Sequence, residues 1–299
     1  MQAKRMRPTM TDELRFAYDV AFSRNRGLIS REEQQRLRSA TVAICGTGGV
    51  GGGHAITLAR QGVGGFHLAD PDTFAPANLN RQAGARMSSM GMNKAAEIGR
   101  MIIDINPDAR VTVFEEAIGP TNIGRFLDGV GCVLDGVDFF AMGARRLLFA
   151  TARERGLWTL TAGPLGFSSA LIAFAPDGMS FDEYCDLNPG MSEVDQLVAF
   201  AVAVAPAATQ FSYMDYSEVD LEKRIGPSAG LACQLCSALI SMEAIAILLG
   251  RRRPRAAPAF SQFDAYRGIY KKGRLRFGNR GPLQLLKRYL LRRRFAPRP

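Results

Sequence analysis

A glycine-rich turn constrains the fold of this chain more than any other feature of its sequence. The apolar run Thr41–Cys45 is typical of a buried strand, and it leads directly into the glycine cluster 46–53. A helix is predicted after the cluster, and its positive N-terminal end would point at a bound anion. The pattern therefore predicts a phosphate-binding turn. The glycines that would approach the phosphates are Gly46, Gly48, Gly49 and Gly51.

The turn by itself leaves the ligand open. An acid, Asp70, lies at the end of the next predicted strand, 19 residues after Gly51, where it can bind ribose hydroxyls. ATP, NAD and FAD satisfy this arrangement equally. A tight strand–helix turn without a ligand is the remaining alternative.

Strands and helices alternate over the first half of the chain. Apolar runs end near residues 114, 135 and 162, and amphipathic segments lie between them. This spacing predicts βαβ units, and hence a Rossmann-like α/β fold with a mostly parallel sheet and helices on both faces. The run 171–174 predicts an antiparallel extension of that sheet.

The charge is distributed unevenly along the 299 residues. The net charge is +10, but residues 251–299 hold 16 Lys/Arg and one acid, whereas the first 250 residues hold 22 Lys/Arg and 27 Asp/Glu. Only the tail is therefore a candidate for binding an anionic partner. We divide the chain into a helical arm (1–40), a nucleotide-binding domain (41–250) and a basic C-terminal extension (251–299).

Cysteine usage and hydropathy indicate the compartment. Five cysteines, an odd number, do not suggest a disulfide framework. We find no apolar run of signal-peptide length and no 18 uninterrupted apolar residues, so no membrane-spanning helix is expected. We expect a cytoplasmic protein.

Charged and amide side chains follow the predicted strand ends. They are Asp70, Asp72, Asn78, Arg81, Lys94 and Asp138. A dehydrogenase does not require an arginine and a lysine at the same phosphate-binding edge, whereas nucleotidyl transfer does. There the cations neutralise the triphosphate and the charge that develops on the departing pyrophosphate. Asp138 is placed to hold Mg²⁺ through one carboxylate and water molecules.

With these motifs the sequence resembles the ThiF/MoeB/HesA-type adenylating enzymes, relatives of the ubiquitin-activating enzymes. The motifs read GTGGVG, NLNRQ, GMNKA and DGVD, and the similarity extends over roughly Phe16–Ala173. The resemblance implies that ATP and Mg²⁺ are the cofactors and that 41–250 is an adenylation domain. A substrate carboxylate would attack the α-phosphate of ATP and give an acyl-adenylate and pyrophosphate. No protein base is needed, because a carboxylate is already ionised at neutral pH.

The resemblance also implies a role for each residue. Asp70 would bind the ribose, Asn78, Arg81 and Lys94 would bind the phosphates, and Asp138 would position Mg²⁺; Asp72 is a further candidate for cofactor binding. Arg24, in the element Ser23-Arg24-Asn25, would contact the γ-phosphate in a partner subunit, which implies a homodimer. Structural alternatives remain: Asp70 as a turn cap, Asp138 as a helix N-cap, and the three basic residues as solvated surface charges.

The cysteines depart from the family pattern. Many members have two CxxC pairs that bind zinc, but this chain has one, Cys233–Cys236, inside an apolar helix. We predict buried thiols there and no zinc. Cys185, in a predicted polar loop, is the candidate for a thioester of the kind that some relatives form. A surface thiol without that role is the alternative.

A basic amphipathic helix is predicted near the C-terminus, at 283–294. Leucines 283, 286, 290 and 291 alternate there with five basic residues. The helix could pack on its own domain with a solvated basic face. It could also bind an acidic partner, nucleic acid or an anionic membrane surface.

The sequence leaves the substrate open. The carboxylate could belong to a ubiquitin-like protein, a peptide, a small molecule or a tRNA-borne acid, the last as in threonylcarbamoyladenosine dehydratases. An NAD(P)- or FAD-binding oxidoreductase and a non-catalytic scaffold are the alternatives from other functional classes.

Overall fold

A single sheet organises the part of the chain that the computed structural model describes, residues 15–220 and 223–295. Its strands are β1 (Thr41–Cys45), β2 (Gly65–Ala69), β3 (Arg110–Phe114), β4 (Cys132–Asp135), β5 (Trp158–Leu165), β6 (Ser168–Phe174), β7 (Ala259–Asp264) and β8 (Ile269–Arg274). Their order is β3-β2-β1-β4-β5-β6-β7-β8. The first five strands pair in parallel and β6, β7 and β8 are antiparallel. The predicted Rossmann-like fold with an antiparallel extension is confirmed.

Helices connect and cover the strands. They are α1 (Tyr18–Ala21), α2 (Arg31–Ser39), α3 (Gly51–Arg60), α4 (Lys94–Ile105), α5 (Ile123–Phe126), α6 (Met142–Glu154), α7 (Phe181–Cys185), α8 (Glu193–Val204), α9 (Gly230–Leu248) and α10 (Pro282–Phe295). Ser30 caps α2 as predicted, because its hydroxyl accepts a hydrogen bond from the backbone N–H of Glu33. Residues 1–14 of the predicted arm lie outside the described residues.

Both faces of the sheet are buried. Val42 and Ile44 of β1 lie in the main core together with residues of α2, α3, α4 and α9. Ala43 and Cys45 point to the other face and pack with α5 and α6. The two faces are therefore occupied by helices, and the carboxyl ends of the parallel strands meet at one edge, where ligands bind in such folds.

Helix α9 is part of this core. It is the one helix in the described residues that is long and apolar enough to cross a membrane. Half of its apolar stretch is buried, and the helix packs against α3, β5 and β6. We interpret it as a core helix.

The sheet continues into the basic extension. β7 pairs with β6 through Ser168 and Asp264, and β8 then pairs with β7. β5 extends well past the end of β4, so the β5–β6 turn projects beyond the edge at which the parallel strands end.

The burial of His54 predicts that the protein becomes less stable in acid. Its side chain is fully buried in α3, neither ring nitrogen has a hydrogen-bond partner in the described residues, and burial lowers its pKa from 6.5 to about 3. Between those values the unfolded chain binds a proton that the folded protein excludes, so stability falls as the pH decreases. His54 should account for a loss of about 2 kcal/mol between pH 7 and pH 5.

A His54→Leu variant tests this, because leucine cannot be protonated. Urea unfolding at several pH values should show a flatter decline for the variant than for the wild type. Parallel curves for the two proteins over this range would contradict the assignment.

Candidate active site

The glycine turn is held by close backbone contacts. Gly46 has a φ of +84°, which favours glycine, and its N–H donates to the carbonyl oxygen of Ala69 at 2.7 Å. A methyl carbon added at Gly51 would lie 1.8 Å from the oxygen of Gly46, and one added at Gly46 would lie 2.1 Å from the oxygen of Gly136. The turn thus packs against the loop after β4, and its shape depends on glycine at both positions.

A methyl group at Gly51 should therefore displace the turn. Gly51→Ala is expected to weaken ATP binding about tenfold or more, since one lost hydrogen bond to a charged phosphate costs roughly 1.5–3 kcal/mol. Gly143→Ala is the matched control, because a methyl group there meets no atom within 4 Å. Calorimetric titration with ATP should separate the two variants, and equal affinities would show that the turn does not hold the nucleotide.

Asp70 ties the end of β2 to this turn. Its Oδ2 accepts from the backbone N–H of Thr47 at 2.7 Å, and its Oδ1 accepts from that of Asp72 at 3.0 Å. Burial raises the pKa of this carboxyl, although both hydrogen bonds oppose that shift. The residue lies at the strand end as expected. It shapes the turn, and each oxygen keeps accepting capacity for a ribose hydroxyl.

Lys94 lies at the same edge. Asn93 caps α4 by accepting from the N–H of Ala96, and its amide donates to the carbonyl oxygen of Asp70 at 2.8 Å. Lys94, the first residue of α4, is thereby placed beside β2. Its Nζ contacts Asp72 Oδ2 at 2.8 Å, and its side chain is largely buried. Lys94 is therefore fixed in place, whereas Asp72 is exposed.

Arg81 reaches the turn from a separate loop. Its guanidinium donates to the oxygen of Ala77 and to Asn80 Oδ1, both at 2.9 Å. A methyl carbon added at Gly49 would lie 3.8 Å from Arg81 Nε. The structure thus brings Arg81 to the phosphate turn. Asn78 has a structural role as well, because its Oδ1 accepts from the N–H of Ala75 and closes the loop.

Two residues at the turn were not anticipated from the sequence. A methyl carbon added at Gly48 would lie 3.4 Å from the amide nitrogen of Gln82, a buried residue whose Oε1 has no hydrogen-bond partner in the described residues. One added at Gly49 would lie 3.4 Å from Cys233 Sγ. Cys233 and Cys236 are both buried, but Cys233 borders the turn.

Asp138 is exposed on the loop after β4. Its Oδ1 accepts from the N–H of Phe140 at 2.9 Å within the loop, whereas the N-cap of α6 is Ala141, so the alternative that Asp138 is a helix N-cap is wrong. Its other oxygen makes none of the described hydrogen bonds. In the described residues no group of three or more His, Cys, Asp or Glu could hold a metal ion. Mg²⁺ bound with ATP needs only one or two carboxylates, because phosphates and water supply the other ligands, so Asp138 fits that site.

A buried ion pair that the sequence analysis missed holds this loop. Arg145 Nε donates to Asp135 Oδ2 at 3.0 Å, and the hydroxyl of Thr161 donates to the same oxygen at 2.9 Å. The guanidinium of Arg145 also donates to the carbonyl oxygens of Val137 and Asp138. Asp135 ends an apolar strand and Arg145 interrupts an apolar helix face, which is a signal for such a pair.

Arg24 lies away from the turn of its own chain. It is exposed in the short turn Ser23–Asn25, and its neighbour Asn25 donates to the carbonyl oxygen of Gln61 at the C-terminal end of α3. The glycine turn is at the other end of this 10-residue helix, about 15 Å away. The described chain therefore does not bring Arg24 together with Arg81 and Lys94.

The prediction that Cys185 lies in a polar loop is wrong. It is the last residue of α7 rather than part of a polar loop, and it is 1% exposed. Burial raises the pKa of its thiol well above the ordinary value. Only the thiolate is nucleophilic, so this position does not suit a thioester-forming cysteine.

Aromatic side chains lie at the same edge of the sheet. Phe167 in the β5–β6 turn stacks on Tyr213, and Tyr213 contacts Tyr266 in the β7–β8 turn with 4.9 Å between ring centroids. Phe167 and Tyr266 are exposed. They form an apolar surface past the strand ends.

A comparison with protein-family models identifies the family of this chain. The model of the ThiF family matches residues 22–280, which include the turn, both basic side chains and Asp138. The chain belongs to the ThiF family.

Relatives in this family differ in their named activities. The chain is 31% identical over 151 residues to the tRNA threonylcarbamoyladenosine dehydratase of Escherichia coli, covering 50% of this chain and 56% of that protein. It is 33% identical over 159 residues to the probable adenylyltransferase/sulfurtransferase MoeZ of Mycobacterium tuberculosis, covering 52% and 40%. The chain thus spans about half the length of these relatives.

Solved structures share the ThiF fold over more of the chain. The structure of PaaA has a TM-score of 0.65 at 18% identity and covers 90% of this chain and 86% of PaaA. Escherichia coli MccB with ATP has a TM-score of 0.61 at 18% identity and covers 84% and 68%. At this identity the likeness establishes the fold.

Proposed function

We propose that this protein is an ATP-dependent adenylyltransferase that converts a carboxylate into an acyl-adenylate. The observation that carries the proposal is that Arg81 and Lys94, from two separate segments, reach the edge formed by the glycine turn and Asp70. A triphosphate requires such cations, whereas a nicotinamide dinucleotide does not. The structure of MccB with ATP and the ThiF family match support ATP as the nucleotide.

In the proposed reaction the substrate carboxylate attacks the α-phosphorus. The bond to the bridging oxygen breaks, and pyrophosphate leaves with the electron pair. Arg81 and Lys94 stabilise the charge on the leaving group, and the N–H groups of the turn orient the phosphates. Asp70 would accept from the ribose hydroxyls. Mg²⁺, held by Asp138, would supply further charge neutralisation.

A homodimer is part of this proposal. The position of Arg24 far from its own glycine turn agrees with a role in the site of a partner subunit. Measurement of the oligomeric state together with the exchange activity of Arg24→Ala tests it.

Two substrate classes remain within this chemistry. The relatives named as tRNA threonylcarbamoyladenosine dehydratases favour a tRNA-borne acid, and the structures of MccB with MccA show a ThiF-fold protein with a different partner. In this proposal the aromatic side chains of Phe167, Tyr213 and Tyr266, which contact one another at the same edge of the sheet, would contact the bound substrate in either case. ATP–pyrophosphate exchange with threonylcarbamoyladenosine tRNA, ubiquitin-like proteins and peptides as separate additions would discriminate between them. Exchange with none of these, together with tight binding of NADH, would support the oxidoreductase alternative.

Asp138→Asn should raise the Mg²⁺ concentration needed for half-maximal exchange at least about tenfold, since a neutral amide is a weaker ligand for a hard cation than a carboxylate. Asparagine keeps the acceptor for Phe140 N–H, so the fold should be unchanged. An unaltered Mg²⁺ titration would remove Asp138 from the site.

A further inference from the structure

Helix α10 packs on the domain with its polar side. Lys287 Nζ donates to the carbonyl oxygen of Pro206 at 2.9 Å, and Arg288 contacts Asp186 Oδ2 at 2.5 Å. Arg292 pairs with Asp195 of α8, and Gln284 is buried. The charged residues therefore anchor this helix inward, which reverses the usual orientation of an amphipathic surface helix.

The outward side of α10 is apolar. Five large side chains on it are between 47% and 64% exposed. They are Leu283, Leu285, Leu286, Tyr289 and Leu290. Phe277, just before the helix, is exposed as well. Within the described residues nothing covers this surface, which we call the α10 face.

The segment that contains the α10 face is strongly basic. Residues 269–295 contain ten Lys/Arg and no acid. Lys271, Lys272, Arg276 and Arg293 are exposed. Two copies that met through this face would bring these cations together, which is unfavourable. A nucleic acid would attract the cations but leave the leucines uncovered. An anionic lipid bilayer satisfies both features, because its headgroups attract cations and its acyl boundary accepts leucine and tyrosine.

We propose that the α10 face binds the surface of an anionic membrane and holds the protein there peripherally. α10 has 14 residues, about 21 Å in length, too short to span the hydrocarbon core of about 30 Å. It would lie in the plane of the interface. The edge of the sheet with the glycine turn belongs to other segments, so this binding is independent of the proposed reaction.

Sedimentation of the full-length protein with vesicles tests the proposal. The protein should bind vesicles in which phosphatidylglycerol replaces part of the phosphatidylcholine, bind pure phosphatidylcholine weakly, and dissociate as salt is added. Leu286→Glu/Leu290→Glu should lower partitioning at least about tenfold, since two leucines no longer leave water. Arg276→Glu/Arg293→Glu should weaken binding to the anionic vesicles alone.

Ile103→Glu is the matched control, because Ile103 is also a partly exposed helical residue but lies on α4. It should bind vesicles like the wild type, and all variants should melt at the wild-type temperature. Failure to bind anionic vesicles, or equal binding by the double leucine variant, would overturn the proposal. If light scattering showed a dimer for the wild type and a monomer for the double leucine variant, the α10 face would be a subunit interface and the membrane proposal would be wrong.

Discussion

ATP–pyrophosphate exchange by Arg81→Ala is expected to fall by about 10²–10³, the loss typical of removing one preorganised donor to developing charge. Arg81 lies beside Gly49, where the phosphates would bind, and within the described residues its side chain donates hydrogen bonds to Ala77 and Asn80 of its own loop. The fold should therefore survive the substitution. Exchange assays and thermal melting on the same preparation measure both effects.

Arg100→Ala provides the comparison for Arg81. Arg100 is an exposed arginine of α4 that pairs with Glu97. Its removal should leave exchange unchanged. If the two variants were equally active, Arg81 would have no part in the reaction.

Arg145→Ala should lower the free energy of unfolding by about 3–5 kcal/mol, because it leaves the carboxylate of Asp135 buried without its partner. The side chains of the pair are only 4% and 2% exposed, and the guanidinium also lies 4.2 Å from the centroid of the Phe200 ring. The melting temperature should fall by roughly 10 °C at about 2–4 °C per kcal/mol. Because Arg145 holds the loop of Asp138, exchange should decline as well.

The adjacent Arg146 serves as the control for that variant. It pairs with Asp182, but the side chains are 26% and 40% exposed, so Arg146→Ala should cost at most about 1 kcal/mol. Adding Asp135→Asn to Arg145→Ala should restore part of the stability, since the isolated charge is gone. Similar melting temperatures for Arg145→Ala and Arg146→Ala would contradict the role of the buried pair.

Local sequence patterns were sufficient to predict the parallel sheet and the edge at which the candidate site residues lie. β1 is a short apolar run followed directly by a glycine, and the parallel pairing of such strands implies that ligands bind at the edge where they end. The positions of Asp70 and Lys94 could be anticipated for the same reason, because each lies directly at a strand end or a helix start. The position of Arg81 could not be predicted from local sequence alone, since Arg81 lies beside Gly49 only because of the way its loop folds.

Contacts between distant segments could not be predicted from the sequence. Asp135 and Arg145 pair across a turn whose path the sequence does not reveal, and Cys233 reaches Gly49 only because α9 packs on α3. The polar neighbours of Cys185 suggested a loop, but the capping box of Ser180 starts α7 and directs the thiol into the interior. The basic and apolar residues of α10 were visible, but which side would face the domain depended on Asp186 and Asp195.

In the proposed mechanism Arg81 and Lys94 meet over a triphosphate held by the glycine turn. Calorimetric titration of the wild type, Arg81→Ala and Lys94→Ala with ATP and with adenosine tests it most directly. The wild type should bind ATP more tightly than adenosine, and both variants should lose that preference while keeping their adenosine affinity. Undiminished ATP affinity in both variants, or binding of NADH in place of ATP, would contradict the account.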